Sequence, residues 1–250
     1  MQAITVYGSQ SEAYHRAFKV FLDHTDQKAN ARAWLQDLVR SLPSRRVFID
    51  AGAGNGQVTA WFVPSFERTI AIEPNDSLRD ELRRACPSAE VIAEPILEAK
   101  PSATADLVLC SHVFYYIERA EWMATLDRLA SWLAPGGILV VVLQNPGTDC
   151  MRMLQHFLGK HFDLSGLAQA IHRERGDAYE VGIDTVPAHV STPGFDSAYT
   201  VAEFMLNLLD LPDPPSRRSL EDYVRAHFRE QAGKFRFSCH QDFLRIRRRS

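Results

Sequence analysis

Cysteine is scarce in this sequence, and the few that it has are scattered. Cys86, Cys110, Cys150 and Cys239 show neither a C-x-x-C pair nor any other metal-binding spacing. A zinc site and a disulfide framework are therefore not indicated, and we expect no bound metal. Cys110 lies within an apolar run and is expected to be a buried core thiol.

Long apolar runs and an excess of positive charge are also missing. No apolar segment is long enough to span a bilayer, and the first residues lack the hydrophobic core of a signal peptide. The formal net charge of -3 gives no overall field that would recruit nucleic acid or an anionic membrane. We therefore expect a cytoplasmic protein without a nucleic-acid or membrane partner. We further expect a monomer or a weak homodimer.

What the sequence does contain is a strand followed by a glycine-rich turn. Residues 47–49 form a β-branched and aromatic run, which predicts a buried parallel strand that ends in Asp50. Gly52, Gly54 and Gly56 follow at alternate positions, and apolar residues then recur at helical spacing. Strand, glycine turn and helix together let a backbone approach a nucleotide-like ligand closely.

The spacing of this turn discriminates between nucleotide ligands. A dinucleotide site has G-x-G-x-x-G with a pyrophosphate at the helix N-terminus, but here the third glycine comes one residue early. Asp50 would repel a pyrophosphate and suits a ligand that carries an ammonium group, so an NAD-dependent oxidoreductase is disfavoured. Glu73 ends the second predicted strand, where an acid can accept hydrogen bonds from a ribose diol.

Strand and helix patterns alternate along the chain. Beyond the first strand, further strands are predicted at 69–72, 91–92, 106–110, 138–143, 179–186 and 234–247. This alternation predicts an α/β fold, with a Rossmann-like, doubly wound and mostly parallel sheet of seven strands. The polar segment 187–195 is predicted to be a loop.

The outer parts of the chain are predicted to be mainly helical. Tyr14 and Phe18 fall on one face of an N-terminal helix, which is either a lid over the site or simple packing. We expect a single domain over 1–250. Within it, 1–45 form a helical lid or cap, 46–143 form the ligand-binding core, and 144–250 form substrate-side helices and closing strands.

Several motifs together resemble one enzyme family. They are Asp50–Gly56, Glu73–Pro74, the tyrosine pair Tyr115–Tyr116 after the fourth strand, and Leu133–Gly137, and they look like class I S-adenosylmethionine (SAM) methyltransferases. The N-terminal pattern, the tyrosine pair and the order of elements in the last third are similar to the histamine N-methyltransferase subgroup. The resemblance implies a SAM-dependent methyltransferase that releases S-adenosylhomocysteine and uses no metal.

The same resemblance implies roles for individual residues. Those implied to bind SAM are Asp50, Gly52, Gly54, Gly56, Glu73, Pro74, Ile96, Ser111 and His112. Those implied to bind the acceptor are Tyr14, Phe18, Gln27, Tyr115, Tyr116, Phe204 and Cys239. Tyr14, Tyr115 and His112 are the candidates for the catalytic step, and the identity of a general base is left open.

The acceptor is predicted to be a small molecule other than histamine. Where the subgroup places a glutamate against the imidazole of its substrate, this chain has Gln27, and Cys239 stands near the position of an asparagine. An amide carries no charge, so histamine should be a poor substrate. We predict that the acceptor atom is a nitrogen of a small amine or N-heterocycle.

Three alternatives differ from this prediction in acceptor or in class. An O-methyltransferase of a small metabolite would use the same cofactor. A nucleic-acid methyltransferase is suggested by the basic stretch 245–249, which we instead expect to be a solvated chain end. A non-catalytic SAM-binding regulatory protein would share the glycine-rich loop but would transfer no methyl group.

Overall fold

The computed structural model describes residues 2–8 and 11–249, which form two compact units. Unit 1 is built from the described residues of 1–31, 144–162 and 185–241, and unit 2 from those of 32–143, 163–184 and 242–250. None of the helices in the described ranges has the length and apolar character needed to cross a membrane.

The bounds of the elements follow in chain order. The helices are α1 (Glu12–His24), α2 (Gln27–Ser41), α3 (Thr59–Phe62), α4 (Asp76–Ala85), α5 (Trp122–Ser131), α6 (Asp149–Leu158), α7 (Leu164–Arg175), α8 (Phe195–Leu206) and α9 (Arg217–His227). The strands are β1 (Val47–Ala51), β2 (Arg68–Ile72), β3 (Glu90–Ile92), β4 (Ala105–Ser111), β5 (Leu133–Gln144), β6 (Tyr179–Val186), β7 (His189–Thr192), β8 (Arg229–Gln231), β9 (Lys234–Ser238) and β10 (Gln241–Arg248).

Unit 2 contains the predicted seven-stranded, mostly parallel sheet, so the predicted fold class is confirmed. Its strand order is β3-β2-β1-β4-β5-β10-β6, with β10 and β6 antiparallel to each other. β1 pairs in parallel with both β2 and β4, and its residues Phe48 and Ile49 are fully buried. Central strands of a parallel sheet are covered on both faces, which explains their continuous apolar runs.

The order of the strands fixes the position of the site. β1, β2 and β4 are neighbours and run in the same direction, so their carboxyl ends lie at one edge of the sheet. In open α/β sheets, ligands bind outside the carboxyl ends of the strands. The acid at the other end of β4 has a structural role: Asp106 accepts hydrogen bonds from the backbone N–H groups of Arg46 and Val47 at 2.7 and 3.0 Å.

Unit 1 combines helices with the three-stranded antiparallel sheet β7-β9-β8. α1 begins after Ser11, whose hydroxyl accepts a hydrogen bond from the Tyr14 backbone N–H at 3.1 Å. The helix buries Ala17 and Phe21, and the Phe21 ring stacks on Phe204 of α8 with 5.7 Å between ring centroids. α1 is therefore part of the hydrophobic core of unit 1.

Two predictions about the last third were wrong. The segment 187–195 is not only a loop, because it contains β7, which pairs with β9. The predicted closing strand 234–247 is two strands, β9 and β10, which belong to different sheets. The alternation of apolar residues is interrupted between the two strands, where the polar residues His240, Gln241 and Asp242 separate Cys239 from Phe243.

The basic stretch near the end of the chain is also placed differently from the prediction. Arg245 and Arg248 lie within β10 and not in a solvated chain end. The Arg245 guanidinium donates to Asp184 Oδ2 at 2.7 Å, and that of Arg248 donates to the Leu133 carbonyl oxygen at 2.8 Å. These two guanidinium groups therefore bind groups of the sheet itself.

Candidate active site

The glycine turn after β1 has three glycines in the left-handed region, and they are needed for different reasons. The φ angles of Gly52, Gly54 and Gly56 are 83°, 56° and 82°. A Cβ atom on Gly52 would overlap with the side chain of Val113, and one on Gly56 would lie 2.8 Å from Leu82 Cδ1. A Cβ atom on Gly54 would meet no atom within 4 Å. The outer two glycines thus permit close packing, whereas the middle one borders open space that a ligand can enter.

The backbone N–H groups of this turn are already bound by the protein. Those of Gly52 and Ala53 both donate to the Ile72 carbonyl oxygen, at 2.8 and 3.0 Å. That of Gly54 donates to Glu73 Oε2 at 2.8 Å. A pyrophosphate site needs N–H groups that point at the ligand from the start of a helix. The N–H groups of Gly52, Ala53 and Gly54 do not have that arrangement, which agrees with the disfavoured dinucleotide interpretation.

Glu73 connects the glycine turn to the next helix. Its side chain is only 6% exposed, and its Oε1 accepts a hydrogen bond from the Asn75 backbone N–H at 2.9 Å while Oε2 holds Gly54. Asn75 in turn caps α4. Each carboxylate oxygen can accept two hydrogen bonds, so both oxygens keep capacity for a hydroxyl group of a ligand. Glu73 is therefore held in a fixed position as an acceptor of hydrogen bonds.

Asp50 is buried at the end of β1. It is 2% exposed, and the Thr59 hydroxyl donates to its Oδ2 at 2.7 Å. Burial raises the pKa of this carboxyl to about 7; the Thr59 hydrogen bond opposes the shift, and the charge of Glu73 adds to it. The charge of Asp50 near neutral pH therefore depends on what binds beside it.

The end of β4 carries an aromatic pair. His112 has a φ of 60°, which is unusual for a residue with a side chain, and its backbone N–H donates to the Val142 carbonyl oxygen at 2.9 Å. Its imidazole stacks on the Tyr115 ring, with 5.7 Å between centroids. Tyr116 is 69% exposed, whereas Phe114 is buried in the core. Residues in strained conformations cluster at active sites, so the strain at His112 is consistent with a functional position.

The remaining candidates of unit 2 lie near the same strand ends. Ser111 is the last residue of β4. Pro74 is exposed directly after Glu73, and Ile96 is buried in the segment that follows β3. The residues predicted to bind SAM therefore all follow or end β1, β2, β3 or β4. The described chain contains no group of three or more His, Cys, Asp or Glu side chains arranged to hold a metal ion.

The other acceptor candidates lie in unit 1, in two groups. The rings of Tyr14 and Phe18 both lie 5.4 Å from the ring of Phe204. Gln27 is 5% exposed, and its Nε2 donates to the Cys239 carbonyl oxygen at 2.9 Å. The amide N–H of Gln27 is therefore already bound by the backbone of its own unit.

Sequence reasoning missed one polar cluster in unit 1. Glu203 is buried in α8, where it accepts hydrogen bonds from the hydroxyls of Tyr7 at 2.5 Å and Tyr199 at 3.0 Å, and from the Thr5 backbone N–H at 3.0 Å. Burial is the largest cause of the raised pKa of both tyrosines. A glutamate within the apolar stretch 201–206 of this helix was the signal that could have revealed this cluster.

Comparison with solved structures shows the same fold in several proteins. A methyltransferase candidate, BH2331, from Bacillus halodurans C-125 has a TM-score of 0.63 at 13% identity, over 88% of this chain and 99% of that one. YcgJ from Bacillus subtilis has a TM-score of 0.62 at 14% identity, over 86% and 98%. The N-methyltransferase NodS from Bradyrhizobium japonicum WM9 has a TM-score of 0.56 at 15% identity, over 96% and 100%.

Comparison at the level of sequence identifies the family. No curated protein matched this chain, and the narrower resemblance to histamine N-methyltransferases gains no support from these comparisons. The family of proteins described as "Methyltransferase domain" matches residues 22–180, which is more than half of the chain. That match covers the glycine turn and Glu73, and the chain therefore belongs to the methyltransferase domain family and is a class I SAM-dependent methyltransferase.

Proposed function

We propose that this enzyme transfers the methyl group of SAM to a nitrogen atom of a small-molecule acceptor. The observation that carries the proposal is the arrangement of Glu73, whose two oxygens are fixed by the N–H groups of Gly54 and Asn75 and can still accept ligand hydroxyls. Bound SAM would supply a methyl group on a cationic sulfonium; this group would pass to an uncharged nitrogen of the acceptor as the carbon–sulfur bond breaks and S-adenosylhomocysteine leaves. The residues of the chain bind SAM and the acceptor, orient them towards each other and exclude water.

Each side chain at the strand ends has a role in this proposal. Glu73 accepts hydrogen bonds from the ribose hydroxyls, and the open side of Gly54 lets the nucleoside approach the backbone. Ile96 and Pro74 border the nucleoside, and Ser111 borders the methionine part. Asp50 favours a cationic amino group nearby, because a positive charge stabilises the ionised form of a carboxyl.

The aromatic pair after β4, His112 and Tyr115, is placed to act on the cationic sulfonium of SAM. An aromatic face attracts a cation by roughly 0.5–2 kcal/mol, so the Tyr115 ring would favour the sulfonium and the methylated ammonium product. Positioning alone can account for up to ~7–11 kcal/mol of such a barrier. An uncharged nitrogen needs no base for its attack, and His112 is the candidate that relays the proton lost afterwards.

The choice of nitrogen and of a small acceptor is the narrower part of the proposal. It is supported by the resemblance noted in the sequence and by the fold shared with NodS, an N-methyltransferase solved with S-adenosylhomocysteine. The roles of Tyr14, Phe18, Phe204, Tyr116, Gln27 and Cys239 in acceptor binding stay predictions. For Gln27, its hydrogen bond to the backbone favours a role in holding the start of α2.

A panel of acceptors tests the proposed reaction. We expect S-adenosylhomocysteine and an N-methylated product from at least one uncharged amine or N-heterocycle, measured by mass spectrometry. The panel includes phenols and carboxylic acids, and methylation of these alone would overturn the choice of nitrogen. Histamine is included because it should be a poor substrate. The Glu73→Ala variant is the control, since its weaker binding of SAM should lower the yield of both products when SAM is limiting.

The ionisation of Asp50 is expected to be coupled to SAM binding. Because burial raises its pKa to about 7, much of this carboxyl is protonated at pH 6, and a cationic ligand should displace the proton. SAM affinity should therefore rise as the pH increases through about 7. Calorimetry in buffers with different ionisation enthalpies measures the released proton directly. An Asp50→Asn variant that shows the same pH dependence would contradict the coupling.

The same group makes a prediction for the stability of the ligand-free enzyme. The pKa of Asp50 in the folded state, about 7, exceeds the ordinary value of 3.8. Its contribution to stability is therefore fully present below pH 4 and is lost as the pH rises towards 7, by roughly 4 kcal/mol. When unfolding by urea is measured across this pH range, the free energy of unfolding should fall more steeply for the wild type than for Asp50→Asn. Parallel losses would contradict this assignment.

A further inference from the structure

The three-stranded sheet of unit 1 has one buried and one solvent-exposed face. Val190, Thr192, Phe235 and Phe237 alternate towards the core and are buried. Directly paired residues of antiparallel strands share a face. The pairs Arg229–Arg236, Gln231–Lys234 and Ser191–Arg236 therefore lie together on the exposed face.

The strand residues on this exposed face include two arginines and a lysine but no carboxylate. Arg229 and Arg236 are direct cross-strand partners, a placement that costs stability because like charges repel. The salt bridges found among residues 2–8 and 11–249 include none with Arg229, Lys234 or Arg236. Glu230 pairs with Phe235 and so belongs to the opposite face.

A cleft of about 680 Å³ lies over the same residues. Its walls include Ser191, Arg229, Gln231, Lys234 and Arg236, with His24 at the end of α1. The Nδ1 atom of His24 lies 2.7 Å from the Val20 carbonyl oxygen and is engaged in that contact. The cleft is thus a concave surface in which three permanent cations and several neutral hydrogen-bonding groups converge.

Two carboxylates reach this face at its far end, beside His189 and Ser238. Asp149 Oδ2 accepts hydrogen bonds from the backbone N–H and the hydroxyl of Ser238, at 2.7 and 2.8 Å. Asp26 Oδ1 accepts one from the His189 backbone N–H at 2.7 Å. Both carboxylates are therefore held by the protein, and neither lines the cleft.

We propose that this cleft binds a multiply charged oxyanion of a small acidic ligand, through Arg229 and Arg236 with Lys234 beside them. Guanidinium groups bind carboxylate and phosphate oxygens in pairs of charge-assisted hydrogen bonds. A bound dianion would also remove the repulsion between the two arginines. The competing explanation is that charges on the edge strand β8 only prevent strand-to-strand association. That explanation requires no ligand and predicts no saturable binding.

Binding of simple anions to the full chain tests the proposal. Calorimetric titrations with inorganic phosphate, glycerol 3-phosphate and succinate, at ionic strength held constant with potassium chloride, distinguish phosphate from carboxylate sources. We expect saturable binding of at least one of them. Arg229→Gln and Arg236→Gln should each weaken it by about tenfold, the effect of one lost charge-assisted contact. Arg218→Gln is the matched control, because Arg218 is an exposed arginine of α9 in the same unit that pairs with Asp222.

Thermal unfolding supplies a second measurement, which does not depend on detecting the small heat released when an anion binds weakly. Phosphate should raise the unfolding temperature of the wild type and of Arg218→Gln but not of the cleft variants. Without phosphate, Arg229→Gln and Arg236→Gln should be at least as stable as the wild type, since a like-charge pair is removed. The proposal is overturned if no anion binds saturably, if Arg218→Gln weakens binding equally, or if only long RNA binds.

Discussion

Glu73→Ala should lower the affinity for SAM by roughly a hundredfold. A hydrogen bond to a charged group contributes about 1.5–3 kcal/mol, and removing this carboxylate deletes the ribose contacts at once. The change also leaves the N–H groups of Gly54 and Asn75 without their acceptors, so the glycine turn and the start of α4 lose a common support. Affinity is measured by calorimetry with S-adenosylhomocysteine.

Two further variants make this result interpretable. Glu73→Gln keeps the size and one oxygen of the side chain, so it should retain more affinity than Glu73→Ala. Glu67→Ala removes an exposed carboxylate just before β2 and should leave affinity unchanged. Wild-type affinity in a folded Glu73→Ala protein, shown by its circular dichroism, would rule out the assignment of Glu73.

Two substitutions in the glycine turn should have different effects: Gly52→Ala should mainly lower stability, whereas Gly54→Ala should mainly lower the affinity for SAM. A methyl group on Gly52 would overlap with Val113, and the residue would also keep a left-handed backbone. Overpacking costs about 1–3 kcal/mol and the backbone strain about 1–2 kcal/mol, so the free energy of unfolding should fall by roughly 3 kcal/mol. Adding Val113→Ala removes the overlapping atoms and should restore part of that loss.

The variant at Gly54 is expected to behave differently. A methyl group there meets no protein atom within 4 Å, so only the strain of the left-handed backbone lowers stability. The same methyl group would occupy the space through which the nucleoside approaches, and SAM affinity should fall more than stability. Urea unfolding and calorimetry on both variants provide the comparison. Unchanged SAM affinity in Gly54→Ala would show that the ligand does not approach this part of the turn.

The sequence predicted the elements of the site because their signals are local. The apolar run 47–49, the alternate glycines and the acid at position 73 each mark a strand end or a turn within a few residues. Parallel strands bring such ends to one edge without further information. The different roles of the three glycines could not be predicted, because they depend on Val113 and Leu82, which are distant in sequence.

The prediction failed where pairing is long-range. β7 has only four residues, and Val190 is buried because it pairs with Phe237 of β9. The split between β9 and β10 is likewise decided by partners in two sheets. The hydrogen bond of Gln27 with the Cys239 carbonyl oxygen also joins distant parts of the chain. Local patterns could not predict that bond, and the role of Gln27 in acceptor binding stays a prediction.

A crystal structure of the enzyme with S-adenosylhomocysteine tests the central claim most directly. The account predicts both ribose hydroxyls within about 2.5–3.0 Å of the Glu73 carboxylate and the nucleoside over the open side of Gly54. His112 and Tyr115 should border the sulfur. A nucleoside bound elsewhere, or a Glu73 carboxylate that holds only Gly54 and Asn75 in the complex, would contradict the account.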